Sequence, residues 1–335
     1  MNLKFIAAGV LAISTMGATA QNINGAGATF PNPIYSRWFS EYSQAHPNVH
    51  INYQSIGSGG GIRQVSEGTV DFGATDSPMT DEAINSAKVR TMHIPTVLGA
   101  VVPVYNLKGI TQDLNFSGDV IADIYLGKIS KWSDPRIAKD NPGVKFPDAS
   151  ILPVYRSDGS GTSFIFTDFL SKVSPDFKSK VGAAASVKWP TGIGQKGNEG
   201  IAGMVRQSPN SFGYVELIYA RGNNMQFGSV KNAAGKFVKA STDGVTAAAA
   251  AAAKTMPADY RISITNAPGA ASYPISSFTW LLIPTKSVDS EKAKALAEFL
   301  VWMLDKGEGE AASMTYAPLP KPVQDMVRKS IAQVK

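Results

Sequence analysis

The stretch YRSDGSGTSF, Tyr155 to Phe164, places one arginine, one aspartate, two glycines and four Ser/Thr hydroxyls in ten positions. It joins an apolar β-rich run, ILPVYRS, to a run with helical apolar spacing, GTSFIFTDFLSKV, and so reads as a strand–loop–helix unit. The same alternation extends along the chain. VHINYQSI, VDFGAT, VLGAVVPVYNL, FGYVELIYA and FTWLLIP read as strands, and PIYSRWFSEYSQAHP, GGIRQVSEGT, DVIADIYLGKIS, GNEGIAGMVRQ and SEKAKALAEFLVWMLDKG as helices. This order predicts an α/β protein with mixed sheets flanked by helices. PTVLGAVVPVYN and NAPGAASYPISSFTW are the candidates for two strands crossing between domains. Two crossings give a discontinuous domain I, residues 21–103 and 274–335, and a domain II of residues 104–273. The run Ala247 to Ala253, after Thr242 and Asp243, reads as a helix-prone surface segment.

Two further stretches resemble the first. GAGATFPNP (Gly25–Pro33) and SIGSGGGIRQ (Ser55–Gln64) also put Gly and Ser or Thr where a strand-like run gives way to a helix-like one. The first turn of a helix leaves N–H groups without partners, and glycine lets a ligand approach the backbone closely. Adding the helix dipole makes each terminus suited to an anion. One such loop is an ordinary helix cap; three in one chain, one beside an arginine, point to a site. In a fourth stretch, VDFGATDSPMT, Asp76 follows a short apolar strand and Asp81 begins the next helix. By itself such a carboxylate is a turn former or cap.

The chain's bulk properties fit an exported protein. MNLKFIAAGVLAISTMGATA carries one lysine, an apolar run and the small-x-small triplet Ala18-Thr19-Ala20, the pattern of a signal peptide cleaved after Ala20. The apolar run falls short of the ~18 residues that suggest a membrane helix. Removing residues 1–20 lowers the formal charge from +6 by one, and the remaining charges are interspersed, which supports no nucleic-acid footprint. With no cysteine there is neither a disulfide framework nor a lipid-modified cysteine at the cleavage site, so a large apolar core must supply the stability. A soluble periplasmic protein acting as a monomer is expected.

GAGATFP, IGSGGGIRQ, VDFGATDSPM, DIYLGKISKW, YRSDGSGTSF and VKWPTGIGQKGNEG, in this order and spacing, resemble the periplasmic phosphate-binding protein of the high-affinity phosphate ABC importer. The match runs from about Asn24 to Val215, with weaker echoes in FTWLLIP and YAPLP. The resemblance implies a two-domain periplasmic binding protein of type II-like architecture with two crossover strands. It also implies inorganic phosphate held in the cleft and delivered to the inner-membrane permease and ATPase subunits of an importer. Carried over position by position, the oxyanion ligands fall on Thr29, on Phe30 through its N–H, and on Ser58, Asp76, Arg156, Ser160, Gly161 and Thr162, with Asp158 as the arginine's carboxylate partner. The second loop reads GSGGG, so Gly59 keeps a backbone donor where the family often adds a serine hydroxyl.

These residues suit that ligand. A buried dianion needs many donors. Helix starts, the hydroxyls of Thr29, Ser58, Ser160 and Thr162, and the planar fork of Arg156 supply them. Asp76 would accept the proton that phosphate keeps near neutral pH and sulfate lacks; a site built for a particular ligand hydrogen rejects an analogue without it by about 10⁴ to 10⁵. The alternatives are a binder of another tetrahedral oxyanion, or an exported phosphatase or phosphoryl-transfer enzyme. Enzyme chemistry finds no support. Only His46, His50 and His93 could serve Ser160 as a base. DGSGTS is not the nucleophile elbow G-x-S-x-G, and no metal-ligand spacing or P-loop occurs. Gly192, Gly194 and Gly197 form G-x-G-x-x-G with Glu216 downstream, but Trp189-Pro190 stands where a Rossmann strand should be. No catalytic residue, metal or cofactor is expected. Phe30, Trp38 and Trp132 are expected in the core.

Overall fold

The computed structural model describes residues 21–287 and 289–334; the expected signal peptide, residues 1–20, lies outside them. The strands are β1 (Gln21–Gly27), β2 (Val49–Ser55), β3 (Phe72–Thr75), β4 (Thr91–Tyr105), β5 (Asn115–Phe116), β6 (Leu152–Arg156), β7 (Ile193–Gln195), β8 (Ser211–Glu216), β9 (Gln226–Phe227), β10 (Ser229–Lys231), β11 (Phe237–Val238) and β12 (Ser276–Pro284). One mixed sheet runs β2-β1-β3-β12-β4-β8-β6-β7, with β9 beside β4, and β11-β10-β5 form a small second sheet. β1, β2 and β3 are mutually parallel, as are β6, β7 and β8, while β12 and β4 run antiparallel to their neighbours in the middle.

β4 joins the two parallel sets. Thr91 to Ala100 pair with β12, and Val101 to Tyr105 pair with β8. Its side chains are buried from His93 onward, as its near-continuous apolar sequence requires of a strand covered on both faces. The second expected crossing segment is strand only from Ser276, and Ile275 accepts a hydrogen bond from Val101 N–H. The register of β12 on β4 shifts between Thr279 and Trp280, opposite Val97 and Pro95. Pro95 has no N–H for a regular ladder, and such bulges re-aim side chains near functional sites.

The aromatic core is as expected: Phe30, Trp38 and Trp132 are fully buried. The indole N–H groups of Trp38 and Trp132 donate to Gly307 and Asn210 carbonyls, so burial leaves neither unpaired. Two readings change. FGYVELIYA is strand only to Glu216; Leu217–Gly222 is helical, and Glu216 Oε2 accepts Ile218 N–H at 2.6 Å as its cap. A capping carboxylate turns the chain where the apolar run alone suggests continuation. The alanine-rich helix, Thr242–Ala252, lies at the surface on one face only, where Asp243, Thr246 and Ala250 are exposed. It buries Val245, Ala248, Ala249 and Ala252 against β4 and β12, since small side chains let a helix sit close to a sheet. Among the described residues no helix is long and apolar enough to cross a membrane.

Candidate functional site

The three glycine-hydroxyl loops lie at the carboxyl ends of β1, β2 and β6, and Asp76 directly follows β3, the end at which parallel α/β sheets bind ligands. Thr29, Phe30, Ser58, Asp76, Arg156, Ser160, Gly161 and Thr162 are all buried and drawn together. Ser58, first residue of the helix Ser58–Glu67, accepts Asp76 N–H at 3.1 Å through Oγ. Gly57 has φ +89°, and a Cβ there would collide with Asp158 Oδ2, so this turn requires glycine. Gly59 N–H donates to Gly159 carbonyl at 2.8 Å. The donor expected to face a ligand instead ties the second loop to the third, because the absence of a side chain on either residue lets the backbones touch.

The loop after β1 is aimed by two distant tyrosines. Tyr219 hydroxyl donates to Thr29 carbonyl and Tyr316 hydroxyl to Phe30 carbonyl, both at 2.6 Å. In a trans peptide the C=O and the following N–H point opposite ways, so holding Thr29 C=O fixes the direction of Phe30 N–H. In the loop after β6, Ser160 caps the helix Gly161–Val173, its Oγ accepting Ser163 N–H at 3.0 Å. The hydroxyl hydrogen of Ser160 stays available for donation, and the first-turn N–H groups of Gly161 and Thr162 have no partner within the helix.

Arg156 is the buried cation. Its Nε and Nη2 donate to Asp158 Oδ1 and Oδ2 at 2.7 and 2.6 Å. Burial alone would raise the Asp158 pKa, but the hydrogen bonds and charge of Arg156 outweigh it and hold Asp158 below the ordinary carboxylate value. The carboxylate thus fixes one edge of the guanidinium. Nη1 is buried with no hydrogen-bond partner in the protein.

Asp76 behaves differently. Burial pushes its carboxyl up to about 7, against the opposing effects of the Thr279 hydrogen bond, the Arg156 charge and Ser58. Thr279 Oγ donates to Oδ1 at 2.8 Å, and Ser58 Oγ lies 3.3 Å from Oδ2. A carboxyl poised near neutrality beside a buried cation can take up or release a proton as its ligand demands.

Asn198, which sequence reasoning did not single out although it lies within the quoted VKWPTGIGQKGNEG, stands among these candidate residues. It is fully buried and donates from Nδ2 to Thr29 Oγ at 2.7 Å and to Thr162 Oγ at 3.1 Å. The glycine motif around it is no dinucleotide fingerprint. Gly194 lies inside β7, and Gly197 N–H donates to Asp158 Oδ1 at 3.2 Å. Two of the histidines serve structure: Met79 N–H donates to His93 Nε2 at 3.1 Å, with burial pushing that ring down to about 4, and His46 stacks on Tyr42, while His50 is exposed. Among the described residues no group of three or more His, Asp or Glu could hold a metal ion.

The sequence matches the family described as PBP superfamily domain over residues 13–306. It is 45% identical over 317 residues to the phosphate-binding protein PstS of Pasteurella multocida, covering 94% of this chain and 90% of that protein. It is 43% identical over 321 residues to PstS of Haemophilus influenzae, covering 95% of each. In fold it is similar to a phosphate binding protein from Stenotrophomonas maltophilia, with TM-score 0.70 at 20% identity over 92% of this chain and 94% of that one. It is also similar to a phosphate-bound substrate-binding protein from Clostridium perfringens, with TM-score 0.66 at 19% identity over 90% of this chain and 100% of that one. These likenesses carry the two-domain architecture, and with the sequence relatives they show that the chain belongs to the phosphate-binding protein (PstS) family of the PBP superfamily.

Proposed function

We propose that this protein binds one inorganic phosphate ion in the cleft between its two domains and hands it to an ABC-type importer without chemical change. The observation that carries the reading is Arg156: a guanidinium with one edge fixed by Asp158 and its third nitrogen, Nη1, buried without a partner. An unpaired buried donor costs about 1–3 kcal/mol, more when charged, and an anion relieves that cost. Phosphate oxygens would be met by Arg156, by the N–H groups of Phe30 and Gly161, and by the hydroxyls of Thr29, Ser58, Ser160 and Thr162. Asp76 would accept the proton phosphate retains, which favours phosphate over a fully deprotonated tetrahedral oxyanion.

Domain I comprises residues 21–103 and 274–335 and domain II residues 104–273, a division supported by the change of partner along β4. The protein works in the periplasm as a monomer after cleavage behind Ala20, meeting the permease and ATPase subunits of the importer. The names of its relatives support transport rather than catalysis, and the bonding of Ser160 supports a hydroxyl that donates rather than attacks. The test pairs two assays. Inorganic phosphate should raise the melting temperature of ligand-stripped protein, and p-nitrophenyl phosphate should not be turned over. Absence of a thermal shift, or sustained hydrolysis abolished by Ser160→Ala, would contradict the reading.

A further inference from the structure

We propose that Asn198 is the positioning residue that makes the Thr29 and Thr162 hydroxyls obligate donors toward the bound anion. The inference rests on the phosphate reading above and deepens it. A threonine hydroxyl can donate or accept, and a freely turning one favours an anion no more than a ligand carrying its own hydrogens. Here the choice is made by the backbone. Glu216 N–H, which can only donate, points at Asn198 Oδ1 at 3.0 Å. That contact fixes which end of the amide is oxygen, so both hydrogens of Nδ2 face Thr29 Oγ and Thr162 Oγ.

Thr29 Oγ also receives Asn198 N–H at 3.3 Å, so both of its lone pairs are used and its own hydrogen must point elsewhere. Thr162 Oγ, with one lone pair taken, is biased the same way. Asn198 reaches both hydroxyls because it stands in the first turn of the helix Gly197–Gln207. Thr29 and Thr162 belong to loops on opposite halves of the sheet. The contact with Thr29 therefore orders the hydroxyls where the two halves meet.

The test is phosphate titration of ligand-stripped Asn198→Ala, alone and in a Thr29→Val/Thr162→Val background, with thermal melting to verify folding. The expected result is a loss of about tenfold or more in the native background and less than about twofold where the hydroxyls are already absent. Equal losses in both backgrounds, or affinity unchanged by Asn198→Ala, would overturn the proposal. Should Asn198→Ala not fold, the wild-type complex decides by NMR. Through-hydrogen-bond coupling between the Thr29 and Thr162 hydroxyl protons and the phosphorus is expected, and a Thr29 hydroxyl proton directed at Asn198 would overturn the assignment. Wild-type protein that binds no phosphate removes the underlying reading as well, whereas a wild type that binds while the variants show no coupling removes this inference alone.

Discussion

Asp76 and Gly161 meet so closely that a methyl group on Gly161 would stand 2.5 Å from Asp76 Oδ2 and closer still to Ser58 Oγ. Gly161 opens a helix and is not at positive φ, so alanine suits its backbone conformation and would favour the helix by up to about 1 kcal/mol. Steric exclusion and backbone preference therefore oppose each other at this residue. Gly161→Ala is expected to lower phosphate affinity by about 100-fold or more and to lower the ligand-free melting temperature as well, because buried Ser58 and Asp76 must shift to admit the methyl group, at a cost that exceeds the gain in helix preference. Titration beside a thermal melt checks this; near-native affinity would mean that the contact opens without cost.

Discrimination against sulfate should reside in Asp76. With its carboxyl raised to about 7 by burial, Asp76 is ionised above that pH and can only accept, so sulfate leaves it facing an oxygen. Below that pH it holds a proton and can donate. Sulfate affinity of the wild type should therefore rise between pH 8 and pH 5, and Asp76→Asn, whose amide always donates, should bind sulfate with little pH dependence. Competition titrations at the two pH values measure both effects. A sulfate response independent of Asp76 would assign selectivity elsewhere.

The same group bears on stability. Its folded pKa of about 7 lies above the ordinary 3.8, so the contribution to stability is fully present below 3.8 and is lost as pH rises through about 7. In ligand-free protein, Asp76→Asn should stabilise by roughly 1–3 kcal/mol at pH 8 and by almost nothing at pH 4. Urea unfolding of both proteins at the two pH values reads the difference, and comparing them isolates Asp76 from the other buried acids, Glu216 and Glu308, whose pKa values burial also raises. A stabilisation equal at both pH values would point to packing.

Arg156→Lys should weaken phosphate binding by about 100-fold. A single ammonium cannot bridge both oxygens of Asp158, as Nε and Nη2 do, and also present a third nitrogen to a ligand. Calorimetric titration of the variant checks the magnitude, and a loss below about threefold would show that charge alone suffices.

Much of the site was legible because its signals are local. A glycine beside a hydroxyl at a helix start is readable within ten residues, as at Ser58 and Ser160, and Asp158 lies two residues from the arginine it holds. The groups that aim those loops are not local. Tyr316 reaches Phe30 across 286 positions and Asn198 reaches Thr29 across 169, and nothing in a tyrosine or an asparagine announces a distant partner. Six of the strands were readable from apolar runs, but β1, QNINGAG, which pairs with both β2 and β3, has no such run to mark it, and the end of β8 was not readable either. GYVELIYA has no periodicity separating strand from helix, and the turn depends on Glu216 reaching Ile218 N–H. The alanine-rich helix shows the same limit, since its sequence states its conformation and not the face it buries.

The most direct measurement is isothermal titration of ligand-stripped mature protein at pH 8, where Asp76 is ionised, first with phosphate and then with sulfate. The arrangement of Arg156, Asp76 and the donor loops predicts tight one-to-one binding of phosphate, recovered intact, with no sulfate heat. No phosphate heat, or sulfate bound as tightly, would contradict it.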